Sequence, residues 1–376
     1  MIIFRYLLKE VAKTQLAVFF VLMTIFISQK FVRILDDASE GGIPGHLVMI
    51  FIGLKMPDLA GMLLPLSLFL GILLAYGRIY AESEMTVLHA CGVSEWYVVR
   101  VTLILSLVTA IVTGIFTLYL APMASEYEYQ VKEKLAADTG ISAMVAGRFQ
   151  KTGNKKAVVF IHDKNREDNS LEKVFVAQLP NAEGDYESVI NSSLVYAEKG
   201  LVEEEESGSQ RLILQKGERY HSDIATGEFN TVAFDKYYIQ IQDQKVEHKR
   251  RKIGAIATKD LLNDDREDAQ AAIQWRLAFP LACLIVTLVA VPLSVVNPRQ
   301  GKFAKMLPAL MLFLAYFLLL TAMRSGVESK TIPHYVGLWP VHLCVLILGV
   351  SLLMKSRTSG LRIKAKLPKR KLKGAV

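Results

Sequence analysis

No G-x-x-x-x-G-K-[ST] phosphate loop occurs anywhere in the 376 residues, so the chain lacks the backbone cradle by which P-loop proteins bind and hydrolyse ATP. ATP-driven work would require a partner that carries the nucleotide site. The H-E-x-x-H and G-x-S-x-G patterns are missing as well, and His334 and His342 in the last apolar segment have no acidic companion nearby in the sequence. Hydrolase chemistry in the membrane is therefore unsupported. These histidines are expected at the interface or in helix packing, although intramembrane ionisable groups are functional candidates in principle. Cysteine is scarce: Cys91, Cys283 and Cys344 fall in or beside apolar segments, and none lies in the polar middle of the chain. That excludes a disulfide-stabilised domain and a Cys-based zinc site. No catalytic residue, metal site, cofactor of its own or nucleic-acid partner is expected.

Charge is scarce only locally. Hydrophobic residues make up 52% of the chain and the formal net charge is +8, yet the charges gather outside the apolar runs, as in a polytopic membrane protein. A spanning helix needs about 20 mostly apolar residues. Uncharged runs of that kind occur at about 14–29, 59–77, 101–125, 277–298, 306–323 and 331–354. The apolar stretch 44–57 contains Lys55, is followed by Asp58, and reads as an interfacial helix rather than a seventh span. The opening segment, with Arg5, Lys9 and Lys13 ahead of the apolar run 16–27, has no small-residue cleavage site after it, so a retained first helix is expected.

Lysine and arginine in short loops set the orientation. Arg5, Lys9 and Lys13, then Arg78 and Arg100, then Arg299, Lys302 and Lys305, then the tail 355–373 all fall on one side. Both termini are expected in the cytoplasm and the polar domain on the far side. That domain carries segments rich in Val, Ile, Phe and Tyr at 158–161, 174–179, 188–196, 211–215, 231–234 and 237–241, separated by turn residues. They read as a sandwich or an open jelly-roll-like sheet. The acidic run 203–206 reads as a solvated turn and 247–268 as a charged connection back to the membrane. The expected fold class is thus an α-helical polytopic membrane protein with six transmembrane helices and an inserted β-jelly-roll-like domain. Residues 1–125 hold three spans, 126–270 the β-domain, 271–355 three further spans, and 356–376 a basic tail suited to anionic lipid.

Three local features carry candidate function. Lys30 and Arg33, three residues apart at the outer end of the first span, share one helix face. Such a pair suits phosphate, through a point charge and a bidentate fork. It suits snorkelling into headgroups equally well, and Asp36 and Asp37 stand close enough to neutralise it. The segment 78–92 reads as a short amphipathic helix ended by Gly92, with Ile79, Met85, Val87 and Leu88 on its apolar side and Glu82, Ser83 and Glu84 on its polar side. It fits docking on another protein through an exposed carboxylate, or lying flat on the bilayer. The segment 291–301 combines Pro292, Pro298 and Arg299 as a helix exit at the headgroups. Pro57, Pro65, Gly61 and Gly71 in the second span suggest kinks and close packing.

The opening Met1-Ile-Ile-Phe-Arg-Tyr-Leu-Leu-Lys-Glu10, the run Leu64-Pro-Leu-Ser-Leu-Phe-Leu-Gly71, the segment Tyr80-Ala-Glu-Ser-Glu-Met-Thr-Val-Leu-His-Ala-Cys-Gly92 and the run Val291-Pro-Leu-Ser-Val-Val-Asn-Pro-Arg-Gln-Gly301 together resemble the LptF/LptG family of lipopolysaccharide export permeases. The resemblance covers essentially the whole chain. It implies one membrane half of an ATP-binding-cassette exporter in a Gram-negative inner membrane, paired with an LptG-like permease above an LptB ATPase dimer that binds ATP and magnesium. It also implies a periplasmic β-domain that passes lipopolysaccharide towards LptC. Carried over residue by residue, Glu84 belongs to the coupling helix on LptB, and Lys30 and Arg33 to the contact with the phosphorylated glucosamine head. An ion-gradient-driven lipid transporter and a membrane-anchored periplasmic scaffold are the competing readings. The first would need intramembrane carboxylates or histidines as a relay, and the second would not need six spans.

Overall fold

The computed structural model describes residues 2–39, 43–138, 146–147, 149–151, 157–164, 170–178, 191–204, 210–223, 228–241, 253–264, 266–296, 303 and 305–355. The chain divides into two compact units, one of residues 1–33, 49–126 and 252–376 and one of residues 34–48 and 127–251. In lipid each backbone N–H and C=O must be bonded within its own segment, and the uncharged runs accordingly form helices. These are α1 (Ile2–Ser39), α2 (Val48–Ala81), the short α3 (Glu84–Ala90), α4 (Glu95–Ile115), α5 (Ala121–Asp138), α6 (Thr258–Leu261), α7 (Glu267–Leu293), α8 (Met306–Glu328) and α9 (Trp339–Lys355). A π-helical turn, Phe116–Leu120, joins α4 to α5.

Five of the described segments are long and apolar enough to cross a membrane: Ile2–Ser39, Gly45–Ala81, Glu95–Leu135, Glu267–Leu293 and Met306–Glu328. The sixth, α9, has 17 residues and reaches about 26 Å at 1.5 Å per residue, the short end of the spanning range. It starts at Trp339 rather than near residue 331 because Pro333 and the left-handed Gly337 (φ 45°) hold the preceding residues in turns. The stretch 44–57 is not a separate interfacial helix. Its residues from Val48 continue into α2 through Lys55, Pro57 and Asp58. A proline costs a spanning helix one hydrogen bond, which neighbouring groups can replace, and Phe51 and Leu59 on either side of Pro57 are buried.

The core of the membrane unit is built around α2, whose Leu68, Phe69, Ile72, Tyr76 and Ile79 are each fully buried. Glycine permits two of its close approaches. A Cβ on Gly71 would lie 2.8 Å from Gln15 Cα of α1, and one on Gly61 would lie 2.7 Å from Thr117 Cγ2. Helix α4 is inverted relative to a soluble helix. Its buried side carries Thr102, Ser106, Thr109 and Thr113, continued by Thr117, while Ile104, Leu107, Ile111 and Ile115 face outward. The hydroxyls reach neighbouring helices: Ser106 Oγ donates to Cys283 O (2.7 Å), Thr117 Oγ1 to Arg276 O (3.0 Å), and Tyr76 and Thr102 share a hydrogen bond of 2.7 Å. Such polar contacts help to hold helices together where lipid removes any hydrophobic preference for protein over solvent.

The second unit contains a six-stranded antiparallel sheet in the order β1-β2-β3-β4-β5-β6. Its strands are Phe149–Lys151, Ala157–Lys164, Leu171–Gln178, Asn191–Glu204, Gln210–Asp223 and Glu228–Ile241. The open arrangement is the one observed: each strand pairs with the next in sequence. The segments expected at 231–234 and 237–241 are one strand, because Lys236 stays paired with Gln215 between them. Glu203 and Glu204 end β4 rather than forming a turn. Residues 205–206, the start of the expected connection at 247–252, the exit 297–301 and the tail 356–376 lie outside the described residues. Val159, Ile161, Val174, Val176, Val195, Ala197, Leu212 and Leu214 are buried on one apolar face. On β3 the buried positions step from Leu171 to Val174, an odd interval that simple strand alternation forbids. The left-handed Lys173 (φ 48°) sits in that step, and Lys216 (φ 49°) interrupts β5 in the same manner.

Candidate coupling and substrate-contact sites

The short helix α3 lies between two spans and is fixed at both ends by backbone geometry. Ser83 precedes it in the left-handed region (φ 62°), and Gly92 leaves it at φ 89°. Met85 is fully buried against the membrane unit. Residues 78–81, expected at the start of this helix, belong to α2 instead. Val87, expected beside Met85, is 61% exposed, and Thr86 and Ala90 are exposed with it. The outward side of α3 is therefore small and mildly apolar rather than acidic.

Glu84 is only partly exposed. Its Oε2 accepts a hydrogen bond from Tyr6 Oη of α1 at 2.5 Å, and one turn along α1 Glu10 pairs with Arg78 at 2.5 Å. Two polar contacts thus tie the first turns of α1 to the end of α2 and the start of α3. The sequence gives no local signal for either, since their partners are 78 and 68 residues apart.

Lys30 and Arg33 lie on the last third of α1, Lys30 partly exposed and Arg33 exposed. Asp36 and Asp37 follow on the same helix and are exposed as well. Phe31 (40% exposed) and Val32 (64%) stand between Lys30 and Arg33. The last third of α1 thus carries these two cations and two carboxylates beside exposed apolar side chains.

The structure also reveals polar groups that sequence reading passed over. Arg276 of α7, only 6% exposed, donates to the carbonyls of Ile253, Gly254 and Ile256 and to Thr258 Oγ1. It thereby fastens the returning chain to the membrane unit. His334 does have an acidic companion, with Glu267 Oε2 3.1 Å from its Nδ1. The pair is far apart in sequence, which is why no nearby carboxylate was expected. His342 packs inside the unit, its Nδ1 2.7 Å from Tyr316 Oη. Trp275, Phe317, Thr321, Arg324 and Glu328 line a groove of about 310 Å³, where Arg324 lies 4.8 Å from the Trp275 ring centre and 2.7 Å from Glu328. Ahead of α7, Arg266 grips Asp264 with side-chain and backbone donors, holding its carboxyl below the usual carboxylate range. Among the described residues no cluster of His, Cys, Asp and Glu could hold a metal ion.

The chain thus combines spanning helices in two runs, a sheet inserted between them in the sequence and a short helix between two spans, the arrangement of a polytopic membrane protein. Residues 5–355 match the family described as lipopolysaccharide export system permease LptF/LptG, and the chain belongs to it. It is accordingly a multi-pass permease subunit of lipopolysaccharide export, and not the ATPase of that system. Within the family the chain is similar to the lipopolysaccharide export system permease protein LptF of Escherichia coli K12, 36% identical over 377 residues that cover 100% of both chains. The proteins of the same name from Escherichia coli O157:H7 and Shigella flexneri match to the same extent.

Proposed function

We propose that this chain and an LptG-like permease form the two halves of an exporter that takes lipopolysaccharide from the outer leaflet of the inner membrane. The chain hands the lipid to its own sheet domain, which faces the periplasm and leads towards LptC and the outer membrane. Both termini and α3 lie on the cytoplasmic side, where an LptB dimer binds ATP and magnesium. Lys30 and Arg33 contact the phosphorylated head of the lipid, and Glu84 couples the spans to the ATPase.

The observation that carries this reading is α3 itself. It is anchored to the spans through Met85 and through Glu84 on Tyr6, while Thr86, Val87 and Ala90 face outward. A motor pressing on that outer side would move α1 and α2 together. Such coupling is needed because the lipid is costly to extract: each acyl methylene exposed to water costs about 0.8 kcal/mol. Apolar walls offset that cost along the route.

Mass spectrometry of what co-purifies with the chain in mild detergent tests the assembly. A second six-span homologue and a Walker-motif ATPase are the expected companions, and a lone chain would overturn the reading. Glu84→Ala removes the acceptor that ties α3 to Tyr6 of α1, so lipid export is expected to fall with the protein still folded. Undiminished export at normal expression would remove Glu84 from the coupling path.

A further inference from the structure

The chain leaves the membrane unit after Glu126 and returns to it at Lys252, with the sheet in the stretch between. Two side chains of the membrane unit join the leaving passage to the returning one. Thr258 Oγ1, on the returning side, donates to Leu118 O of the π-helical turn on the leaving side at 2.6 Å. The same oxygen accepts from Arg276 Nη1 of α7 at 2.7 Å. Arg276 Nη2 reaches the carbonyl oxygens of Ile253, Gly254 and Ile256 at 3.3, 3.1 and 2.8 Å, and the backbone carbonyl of Arg276 accepts from Thr117 Oγ1 of the π-helical turn at 3.0 Å.

Among the described residues the guanidinium bonds to three backbone carbonyls and one hydroxyl. A rigid fork of five N–H donors can serve that many acceptors at once. Carbonyl acceptors fix the path of the returning chain whatever side chains it carries there. Docking of that chain does not depend on the polar network alone, because Ile253 and Ile256 also pack on an apolar cluster of Leu261, Ala269, Ala272 and Ile273. The cluster contains no residue of the leaving turn. What the network adds is the link between the two passages, made at a π-helical turn, a feature that recurs at functional sites. We infer that Arg276 and Thr258 are positioning residues for export, which lock the leaving and returning passages at one point so that both move with α4 and α7 as one piece. Passages free to move separately would act as hinges and absorb that movement. The inference rests on the lipid-export reading above and adds to it the residues that carry span movement into the chain on either side of the sheet domain.

The test compares transfer of lipopolysaccharide with ATP hydrolysis by the complete transporter in proteoliposomes, and follows hydrogen exchange of residues 116–120 and 253–261 in the same complexes. Thr258→Val keeps the shape of the side chain and removes the hydroxyl that joins the two passages. It is expected to lower lipid transfer while ATP hydrolysis stays at the parental rate, and to speed exchange in both segments. Arg276→Gln should lower transfer further, and Arg276→Lys, with three donors in place of five, should recover part of the loss. Should Arg276→Gln fail to assemble, Thr258→Val alone decides. ATP hydrolysis falling in step with transfer, or faster exchange in the returning segment only, would assign the pair to the fold of the membrane unit and overturn the positioning role. Undiminished transfer by Thr258→Val would overturn it as well. Failure of the parent complex to move lipopolysaccharide would instead sink the export reading, and the role of the pair in export with it.

Discussion

Helices α1 and α2 are close in length and in apolar character, yet the chain treats them oppositely. The most apolar 18 residues of α2 are 83% buried within the protein, against 11% for α1. Hydropathy cannot separate them, because lipid tails are as apolar as leucine and a spanning helix is stable against either neighbour. Small residues make the difference. Gly61 and Gly71 let neighbouring segments approach α2 closely and Ala60 and Ser67 are buried beside them, whereas α1 presents Leu16, Phe20, Val21 and Ile25 at helical intervals on its outer side. In the proposed assembly that outer side of α1 is the surface left for lipid, substrate or the second permease.

The sharpest way to break this contrast is to remove one phenylalanine from each helix. Phe69 of α2 is fully buried and its ring lies 5.4 Å from that of Phe313, so Phe69→Ala should destabilise the purified chain by about 3–5 kcal/mol. Phe20 of α1 is 63% exposed, and Phe20→Ala should change stability by no more than about 0.5 kcal/mol. Thermal unfolding of both variants in one detergent gives the answer, and similar losses would mean that α1 is packed as α2 is. A smaller effect is expected where the two helices touch. A side chain at position 71 meets the backbone of α1 rather than a movable side-chain end, so Gly71→Leu should cost about 1–3 kcal/mol. It should also open the first half of α1 to protease. Gly53→Ala, where a Cβ has open space, is the matching control.

Much of this was legible in the sequence where composition dictates the outcome. Uncharged runs identified the spans, and β-branched and aromatic segments between turn residues identified most strands, because the first pattern follows from burial in lipid and the second from packing on a pleated sheet face. What escaped depends on contacts distant in sequence. The hydrogen bond of Tyr6 to Glu84, the His334–Glu267 pair and the carbonyl cluster on Arg276 each join residues that no local window contains. The 44–57 stretch was misjudged for a different reason. Lys55 and Asp58 argue against a spanning helix when taken one at a time, but α2 runs on past both. At the candidate sites the sequence offers Lys30, Arg33 and Glu84 as charged residues beside apolar runs, while only packing shows that Glu84 is held by Tyr6.

The smallest expected effect concerns α4, which lies between the two extremes with 44% of its apolar window buried. Its hydroxyl seam explains how a helix can expose Ile104, Leu107 and Ile111 and still be fixed in rotation. Ser106→Ala would delete the bond to Cys283 O, and hydrogen bonds between membrane helices average about 0.6 kcal/mol, with a ceiling near 1.7. The loss is small because the freed carbonyl still accepts from Thr287 Oγ1 at 2.8 Å. Ile111→Ala on the outward side should cost less still, since that side chain is 58% exposed and the unfolded helix in a membrane faces the same hydrocarbon. If Ile111→Ala proved the more damaging of the two, packing rather than hydroxyl bonding would orient α4. The outward side of this helix would then have to pack against more than lipid.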